Sequence, residues 1–480
     1  MRREATQRVW IVGGAVRDAL LGRTVSDWDL LCAEPASVAS EVARRTEGRL
    51  VVLRETPATY RVVLEPRTPR VRFLDFTGFR GATLKEDLAA RDLTLNALAA
   101  ELPDGPLLDP CGGLGDLRAG CLRALRARNL EADPVRCLRA YRFASELGFA
   151  IHDQTRAAIR DLAHLLSRAP GERLGPELLK LLHPPRATAT LGLMAEDGLL
   201  WQLLPELQTA QGVPQGGFHH RDVWGHTVEV VASMERLLAS PERALPGHGE
   251  AVGEYLARPD RTALLLLAAL LHDVAKPACL LEDGSGRTRF LGHDREGSRV
   301  AGKVAARLAL RGELREALQR LIRHHLRPVL LANQALPGVG EQPRPLSMGA
   351  LRRLFRDVEP EGVGLLLLAL ADVQGCQGPA VGPGYHEAVA HALGDMLARY
   401  RRWQEETAER PLLSGADLIA AGYQPGRAFG QVLRAVDEAR ADGLVSTPEE
   451  ALALAHDLLE SSRGRGGQTG PGDEAGTDYP

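Results

Sequence analysis

The sequence predicts an α+β head with a small mixed sheet and helices, followed by a mainly α-helical neck and body and then an all-α domain. Apolar runs alternate with helical patterns between residues 8 and 77, whereas the later chain is rich in Leu, Ala and Arg at helical spacing. A length of 480 residues also exceeds what one hydrophobic core supports. The length therefore indicates about three domains.

The head begins with strands and helices in alternation. We expect strands at 8–12, 28–32, 48–54, 60–65 and 70–76, and helices at 15–21 and 36–46. These elements are typical of a small mixed sheet with helices on one side.

Two features between residues 8 and 30 suit phosphate and metal chemistry. Gly13 and Gly14 separate an apolar run from a short helix, and bare backbone N–H groups at a helix N-terminus favour phosphate. Asp27 and Asp29 lie two residues apart in the next strand, so their side chains point to the same face. Such a pair can hold one or two Mg²⁺ ions for phosphoryl or nucleotidyl transfer, although the same pattern is common in exposed turns.

Further polar residues occur in the two segments that follow. Asp75 lies among apolar neighbours, where it is either an edge residue facing water or a third metal ligand. Residues 83–101 predict one helix in which Asp92 and Asn96 share a face, next to Arg91. A solvated helix face explains that cluster equally well.

A second helix is predicted over residues 131–149, with Asp133 as N-cap and Pro134 at the first helical position. Asp133 and Arg136 are three residues apart and fall on one face. They either cap the helix and face water, or form a carboxylate acceptor beside a guanidinium donor that reads the edge of a base.

The same region carries a local excess of positive charge. Between residues 117 and 142 there are seven arginines and two acids, and Arg139 and Arg142 extend the basic face beyond Arg136. Such a face suits the phosphates of a nucleotide or of an RNA backbone.

The overall composition is that of an ordinary soluble protein. The formal net charge is −3, so any nucleic-acid binding must use a local basic face. Six cysteines without a CxxC pair, and no signal peptide, indicate reduced and mostly buried thiols in a cytoplasmic protein. The longest uncharged runs, near 262–272 and 362–371, are too short to span a bilayer, so we expect no membrane partner.

The order and spacing of the motifs resemble one known family. The stretches GGAVRD, DWD, DLAARDLTLNALA, LLDPCGGLGDL and ADPVRCLRAYRFASELGF, followed by ERLGPELLKLL, are similar to the class II tRNA nucleotidyltransferases and bacterial poly(A) polymerases. The resemblance covers residues 8 to about 205. It implies that Asp27 and Asp29 bind catalytic Mg²⁺, and that Asp133 and Arg136 act as a protein template selecting C or A.

The resemblance also implies a set of nucleotide contacts. Gly13, Gly14, Arg17 and Asp18 would hold the triphosphate, and Arg91 and Asp92 would contact ribose and phosphates. We also expect nucleotide binding by Asn96, Arg139 and Arg142.

Three positions depart from the family pattern. Ala90 replaces the first arginine of an Arg-Arg-Asp triplet, and Ala132 replaces the acid that usually precedes the template aspartate. Only a few residues separate Asp75 from the segment at 83–101. A short connection there resembles members that add only two cytidines and do not switch to ATP.

The second half of the chain carries histidines and aspartates on separate helical segments. They are His226, His272, Asp273, His293, His325 and Asp372. Their pattern resembles the HD metal-dependent phosphohydrolase domain, with His226, His272, Asp273 and Asp372 as the minimal set and His293 and His325 as possible ligands of a second metal. One histidine alone is more often a packed core residue, but a buried His-Asp pair must be satisfied and a cation does so. Imidazole with carboxylate favours a transition metal such as Mn²⁺, Ni²⁺ or Co²⁺.

These observations lead to one hypothesis and two alternatives. The domains are a nucleotidyltransferase head at 1–120, a neck and body at 121–215, an HD domain at 216–400, C-terminal helices at 401–461 and a disordered tail at 462–480. The expected function is template-independent addition of CTP, and possibly ATP, to the 3′ end of tRNA. One alternative is a poly(A) or A-adding polymerase, and the other is an HD phosphohydrolase with a degenerate RNA-binding head. The sequence leaves the oligomeric state open.

Overall fold

The computed structural model describes residues 8–25, 27–64, 71–282, 284, 288–336, 346–408, 412–441 and 444–465. None of the helices in these ranges combines the length and the apolar character that a membrane span needs.

Seven strands form the sheet of the head. Their bounds are β1 Val9–Val12, β2 Asp27–Cys32, β3 Arg49–Glu55, β4 Ala58–Val63, β5 Phe73–Thr77, β6 Ala99–Glu101 and β7 Leu107–Leu108. The strands lie in the order β3-β4-β5-β2-β1-β6-β7. The pair β2–β5 is parallel, whereas the other neighbours are antiparallel. The predicted mixed sheet is therefore confirmed.

The register of the parallel pair places the head carboxylates. Asp29 lies opposite Asp75, and Asp27 lies opposite Phe73. Because β5 lies between β4 and β2, Asp75 is not on an edge strand, and that part of the sequence interpretation was wrong. Two helices flank the sheet, α1 Gly14–Leu20 and α2 Pro35–Thr46.

The single helix predicted over residues 83–101 does not form. Helix α3 spans only Leu84–Ala89, and a 3₁₀ turn at Thr94–Asn96 leads into β6. Long-range backbone bonds replace the helical ones, since the N–H of Thr94 donates to the carbonyl of Arg123 at 2.9 Å and Gly13 donates to Leu98 at 3.1 Å. A local helical pattern cannot compete with such tertiary pairing.

The neck and body consist of short helices and one small parallel strand pair. Their bounds are α4 Gly113–Ala119, β8 Cys121–Leu122, α5 Ala127–Ala132, α6 Val135–Leu147, β9 Ala150–Ile151, α7 Asp153–Leu162, α8 Gly171–Leu181, α9 Ala187–Glu196 and α10 Leu199–Leu203. Asp133 does not cap α6 with its side chain as predicted, because the cap position is Pro134 and the helix begins at Val135. Asp133 thus ends α5 and leaves its carboxylate available to other partners.

The second half is mainly helical, as predicted, but it also contains one short antiparallel strand pair, β10–β11, which the expected all-α domain did not include. Its elements are α11 Val223–Ala239, α12 Pro241–Ala244, α13 Gly249–Leu256, α14 Arg261–Leu271, β10 Leu280–Glu282, β11 Thr288–Phe290, α15 His293–Arg307, α16 Gly312–His324, α17 Leu326–Ala335, α18 Met348–Val358, α19 Gly362–Gly375, α20 Tyr385–Ala408, α21 Gly415–Ala420, α22 Arg427–Ala441 and α23 Pro448–Arg465. One continuous buried cluster extends from Leu93 to Tyr400, so the neck and this helical domain share a core. The last three helices form a small cluster of their own.

Two further sequence predictions concern the cysteines and the tail. All six cysteines are free, as expected, but only Cys32 and Cys137 are buried and the other four are half-buried. Residues 462–465 belong to α23, and the rest of the predicted tail, 466–480, lies outside the described residues.

Candidate active sites

One cavity of about 810 Å³ is lined by residues from the head sheet and the neck helices. It brings together all the residues that the sequence singled out in the head except Asp75, namely Gly13, Gly14, Arg17, Asp18, Asp27, Asp29, Arg91, Asp92, Asn96, Asp133, Arg136, Arg139 and Arg142. These residues come from separate stretches of the chain, so only folding can place them around one volume.

Asp27 and Asp29 face this cavity from the start of β2. Both are exposed, whereas Trp28 between them is half-buried against the opposite face, as the strand period predicts. Although Asp29 is exposed to the cavity, the protein atoms that surround the cavity desolvate its carboxylate and so raise its pKa; the charge of Arg91 opposes this shift, and the charges of Asp75 and Asp27 add to it. Two carboxylates that repel each other in this way suit a hard divalent cation, which would relieve the repulsion.

Asp75 is paired within the protein. The guanidinium of Arg61 donates to both of its carboxylate oxygens at 2.7 Å. Such a bidentate pair takes one lone pair on each oxygen and offsets the negative charge that would attract a cation. Asp75 therefore lies beside the candidate metal site with Arg61 as its partner.

The diglycine turn packs against the side chains of Arg17 and Arg91. Gly13 has a φ of 69°, and a Cβ there would lie 2.6 Å from Nη1 of Arg91. The buried Arg17 donates to both oxygens of Asp18 at 2.9 and 2.8 Å and to Oδ1 of Asn96 at 2.8 Å. The turn therefore depends on glycine both for its backbone conformation and for the space that Arg91 occupies.

Asp92 is held by a dense set of donors. Its Oδ1 accepts from the N–H of Leu93 and from Nδ2 of Asn96, both at 2.9 Å, and its Oδ2 accepts from Nε of Arg139 at 2.8 Å. Burial by itself would raise the pKa of Asp92, but the Arg139 charge and these hydrogen bonds lower it to about 2. Asp92 is thus a charged and fully engaged carboxylate.

The predicted template pair lies at the junction of α5 and α6. The Asp133 carboxylate contacts Nε of Arg136 at 3.5 Å and accepts from Arg173 at 2.7 Å, both through Oδ2. Its other oxygen, Oδ1, is buried and has no hydrogen-bond partner among the described residues. Arg136 is anchored by donation from Nη1 to the carbonyl of Ala90 at 2.8 Å. An acceptor without a partner among the described residues therefore lies beside a fixed guanidinium.

The cavity also contains residues that the sequence reasoning did not select. They are Ala15, Thr24, Val25, Arg54, Arg80, Phe143, Arg173 and Lys180. Arg173 and Lys180 fall in the ERLGPELLKLL motif, which was a usable signal. No pattern in the sequence indicated Arg54 or Arg80.

A second site lies in the helical domain, where the six predicted metal-ligating residues converge around Asp273. Oδ2 of Asp273 lies 3.0 Å from Nε2 of His272 and 3.6 Å from Nε2 of His226. Oδ1 of the same carboxylate lies 3.3 Å from Nε2 of His293 and 3.7 Å from Nε2 of His325. Asp273 thus faces one group of imidazoles with each oxygen.

Asp372 completes the first of these two groups. Its Oδ1 lies 3.1 Å from Nε2 of His226 and 3.7 Å from Nε2 of His272. The arrangement offers two neighbouring ligand sets that share the Asp273 carboxylate.

The imidazoles are oriented for ligation by their other nitrogens. Nδ1 of His272, His293 and His325 lies 2.8, 2.6 and 2.7 Å from a backbone carbonyl oxygen, respectively. Donation from Nδ1 leaves the Nε2 lone pair directed at the cluster. Burial lowers the pKa of His325 to about 4, which favours the neutral ligand form.

The donor set fits divalent metal ions. Among the described residues, Nε2 of His272, His293 and His325 and Oδ1 of Asp273 are buried without a hydrogen-bond partner, whereas Oδ2 of Asp273 lies 2.6 Å from Nζ of Lys276. Leaving so many buried polar atoms unsatisfied is costly unless a cation takes up their lone pairs. A mixed imidazole and carboxylate set suits a transition metal.

The mixed head sheet with its carboxylate pair, joined to a helical domain with a His-Asp cluster, defines the class of protein: a nucleotidyltransferase head fused to an HD domain. Residues 9–123 match the Poly A polymerase head domain, residues 148–211 match the probable RNA and SrmB-binding site of polymerase A, and residues 223–373 match the HD domain.

Relatives along the whole chain identify the family. An A-adding tRNA nucleotidyltransferase of Deinococcus radiodurans is 37% identical over 462 residues, covering 95% of this chain and 96% of the relative. A CC-adding tRNA nucleotidyltransferase of Thermus thermophilus is 36% identical over 454 residues, covering 92% of each. The chain therefore belongs to the tRNA nucleotidyltransferase and poly(A) polymerase family.

Solved structures agree with this fold. A CCA-adding enzyme in complex with CTP has a TM-score of 0.58 at 23% identity, covering 95% of this chain and 92% of that chain. The Thermotoga maritima CCA-adding enzyme complexed with tRNA has a TM-score of 0.56 at 22% identity, covering 96% and 92%.

Proposed function

We propose that this chain adds cytidines from CTP to the 3′ end of tRNA that lacks its terminal CCA, and that it stops after the second cytidine. One observation carries the proposal: apart from Asp75, the predicted triphosphate, ribose, metal and template residues line one cavity of about 810 Å³. The family membership supports the same reaction, although relatives at 37% and 36% identity carry A-adding and CC-adding names and do not separate the two.

Asp27 and Asp29 would hold Mg²⁺ in the head. A bound ion there would supply activation of the RNA 3′-hydroxyl and neutralisation of charge at the α-phosphate. The N–H of Gly14 in the diglycine turn and the guanidinium of Arg17 would face the departing pyrophosphate and stabilise its charge.

Asp133 and Arg136 would select the base. The free Oδ1 of Asp133 can accept from the exocyclic amino group of cytosine, and Arg136 can donate to the neighbouring ring nitrogen. Since adenine also presents an amino donor beside a ring acceptor, these two residues by themselves do not exclude ATP.

The connection between β5 and α3 favours the CC-adding outcome. β5 ends at Thr77 and α3 begins at Leu84, so the connection is short. Hydrogen bonds hold both ends of this connection: the N–H of Gly78 donates to the carbonyl of Ala58 at 3.0 Å, and the N–H of Ala82 donates to the carboxylate of Glu86 at 2.7 Å. A short, tethered loop has little freedom to reshape the pocket after two additions.

Product length on truncated tRNA tests this proposal. Purified protein is incubated with tRNA ending before CCA, after the first C and after CC, with CTP, ATP or both. We expect extension by two and one nucleotides with CTP and no extension of tRNA ending in CC with ATP. Addition of A to that last substrate would contradict CC specificity, and no CTP incorporation on any substrate would contradict the proposed reaction.

We propose a second activity for the HD domain because Nε2 of His272, His293 and His325 and Oδ1 of Asp273 are buried without a hydrogen-bond partner among the described residues. With Mn²⁺, Ni²⁺ or Co²⁺ bound by His226, His272, Asp273 and Asp372, and a second ion by His293 and His325 with Asp273, this site would hydrolyse phosphoesters. Nζ of Lys276 lies 2.6 Å from Asp273, within reach of a phosphate at the site. Hydrolysis of a 2′,3′-cyclic phosphate, in which one water opens the ring to a 2′- or 3′-phosphomonoester, is measured with each metal in turn, and inactivity with all three would contradict the proposal.

The proposal also covers organisation and location. We propose a head at 1–120, a neck and body at 121–215 and an HD domain at 216–400, with C-terminal helices beyond. The reaction is placed in the cytoplasm because its proposed substrates, tRNA and CTP, are found there.

A further inference from the structure

Most guanidiniums around the head cavity are already neutralised by carboxylates. The pairs are Arg17 with Asp18, Arg91 with Asp87, Arg136 and Arg173 with Asp133, Arg139 with Asp92 and Glu177, and Arg142 with Glu146 and Glu177. In the part of the chain that the structure describes, the lining cations without a carboxylate in salt-bridge distance are Arg54, Arg80 and Lys180. A nucleoside triphosphate gains most from such cations, because no existing ion pair has to be broken.

Arg80 is presented to the cavity by an ordered loop. Its backbone N–H donates to Oδ2 of Asp87 at 3.1 Å, and Oδ1 of the same buried carboxylate accepts from the guanidinium of Arg91 at 3.3 Å. Phe79 before it packs against Trp10, with ring centroids 5.7 Å apart. The Asp87 carboxylate thus fixes the backbone of Arg80 next to the guanidinium of Arg91. Arg91 directly follows Ala90 in the chain.

Ala90 lies beside Arg136, and Arg80 lines the same cavity as Arg136. Nη1 of Arg136 donates to the carbonyl of Ala90 at 2.8 Å. Burial is the main cause that lowers the pKa of Arg136, and the nearby positive charge of Arg80 contributes to the same shift. The shared Asp87 carboxylate holds the exposed Arg80 near Arg91, the residue directly after the position at which the family pattern has an arginine and this chain has alanine.

We propose that Arg80 supplies the cationic contact to the phosphates of the bound nucleotide that Ala90 cannot make. This inference rests on the proposed function of the head. It assigns a binding role to a residue outside the family motifs, on the basis of its unpaired charge and of its tether to Asp87.

Steady-state addition of CTP to tRNA lacking CCA tests the inference. We expect Arg80→Ala to raise the KM for CTP about tenfold with little change in kcat, since one charge-assisted contact to the ground-state nucleotide is lost. Arg80→Lys should retain most of the affinity, because it retains the charge. If Arg80 contacts the phosphates and not the base, Arg80→Ala should raise the KM for misincorporated UTP by the same factor as the KM for CTP.

A compensating substitution gives the sharper test. Ala90→Arg combined with Arg80→Ala should recover most of the lost affinity, and Ala90→Arg alone checks that an arginine is tolerated at that position. Arg45→Ala, an exposed arginine on α2 outside the cavity, serves as the control and should leave KM unchanged.

The inference is overturned if Arg80→Ala keeps the KM for CTP within about twofold of the wild type, a change below that expected for a lost charged contact. It is equally overturned if Arg80→Lys is as impaired as Arg80→Ala, or if a tolerated Ala90→Arg recovers nothing. Wild-type protein that incorporates no CTP refutes the proposed function instead. Normal wild-type activity with an unaffected Arg80→Ala variant refutes this inference alone.

Discussion

Carboxylates in the head cavity differ in how completely the protein has paired them. Asp92 uses both oxygens on three donors, and Asp75 is held by Arg61. In contrast, no salt bridge to Asp27 or Asp29 occurs within the described residues. Unpaired carboxylates at an open surface are the ones available to a metal ion, whereas the paired ones set the geometry around them.

The first prediction concerns this unpaired pair. Asp27→Asn or Asp29→Asn should lower CTP addition at least about a hundredfold, because a lost metal ligand removes several kcal/mol of transition-state stabilisation. Rates on tRNA lacking CCA measure the effect, with the exposed Asp104→Asn as a control expected to remain active. Undiminished CTP incorporation by either variant would contradict the metal site.

A second prediction follows from the lowered pKa of Asp92. Its shift from 3.8 to about 2 means that the charged form stabilises the fold above pH ~4, and that this contribution is lost as the pH falls through about 2. Asp92→Asn should therefore be less stable than the wild type at pH 6, and the difference should shrink by about 2 kcal/mol toward pH ~2. Urea unfolding across this pH range measures it. Two stability curves that stay parallel would contradict the assignment.

At the scale of elements, α8 joins the two halves of the molecule. One face carries Arg173, which contacts Asp133, and Glu177, which holds Arg139 at 3.2 Å and lies 2.7 Å from Nε of Arg142. Gly175 on the same helix lies so close to the HD domain that a Cβ would overlap the carbonyl of Leu308. Glycine at position 175 therefore lets α8, whose Arg173 contacts Asp133, pack directly on the HD domain.

The third prediction tests that close packing. Gly175→Ala should destabilise the protein by about 1–3 kcal/mol, because the methyl group has to displace backbone. Gly192→Ala in α9 is the matched control, since a Cβ there meets nothing within 4 Å and should be neutral or stabilising by up to about 1 kcal/mol. Thermal unfolding of the two variants measures the contrast. Equal melting temperatures would contradict the tight interface.

At the scale of the whole molecule, two candidate centres are supported by one core. The buried cluster from Leu93 to Tyr400 contains residues of α6 behind the head cavity and of α14 behind the His-Asp cluster. Each centre nevertheless has its own ligands, and no residue is shared between the cavity lining and the cluster around Asp273. The chemistry of the two centres should therefore be separable by substitution.

The fourth prediction is this separation. Asp273→Asn should lower the metal content of the HD domain, measured by elemental analysis, and abolish phosphoester hydrolysis, because both ligand sets lose their shared carboxylate. CTP addition should stay within about threefold of the wild type, since no head contact is removed. Asp29→Asn should give the reciprocal result. Loss of both activities in the folded Asp273→Asn variant would contradict independent centres.

The sequence by itself determined the class of fold, the strand that carries Asp27 and Asp29, and the histidines and aspartates that converge around Asp273. These features depend on local periodicity and on motif spacing, which are visible along the chain. Only the tertiary structure showed that residues 83–101 form a helix, a turn and a strand instead of one helix, and that Asp75 is paired with Arg61. The reason is that these outcomes depend on partners far away in sequence, such as Arg123 for Thr94, whose backbone bonds outweigh any local preference.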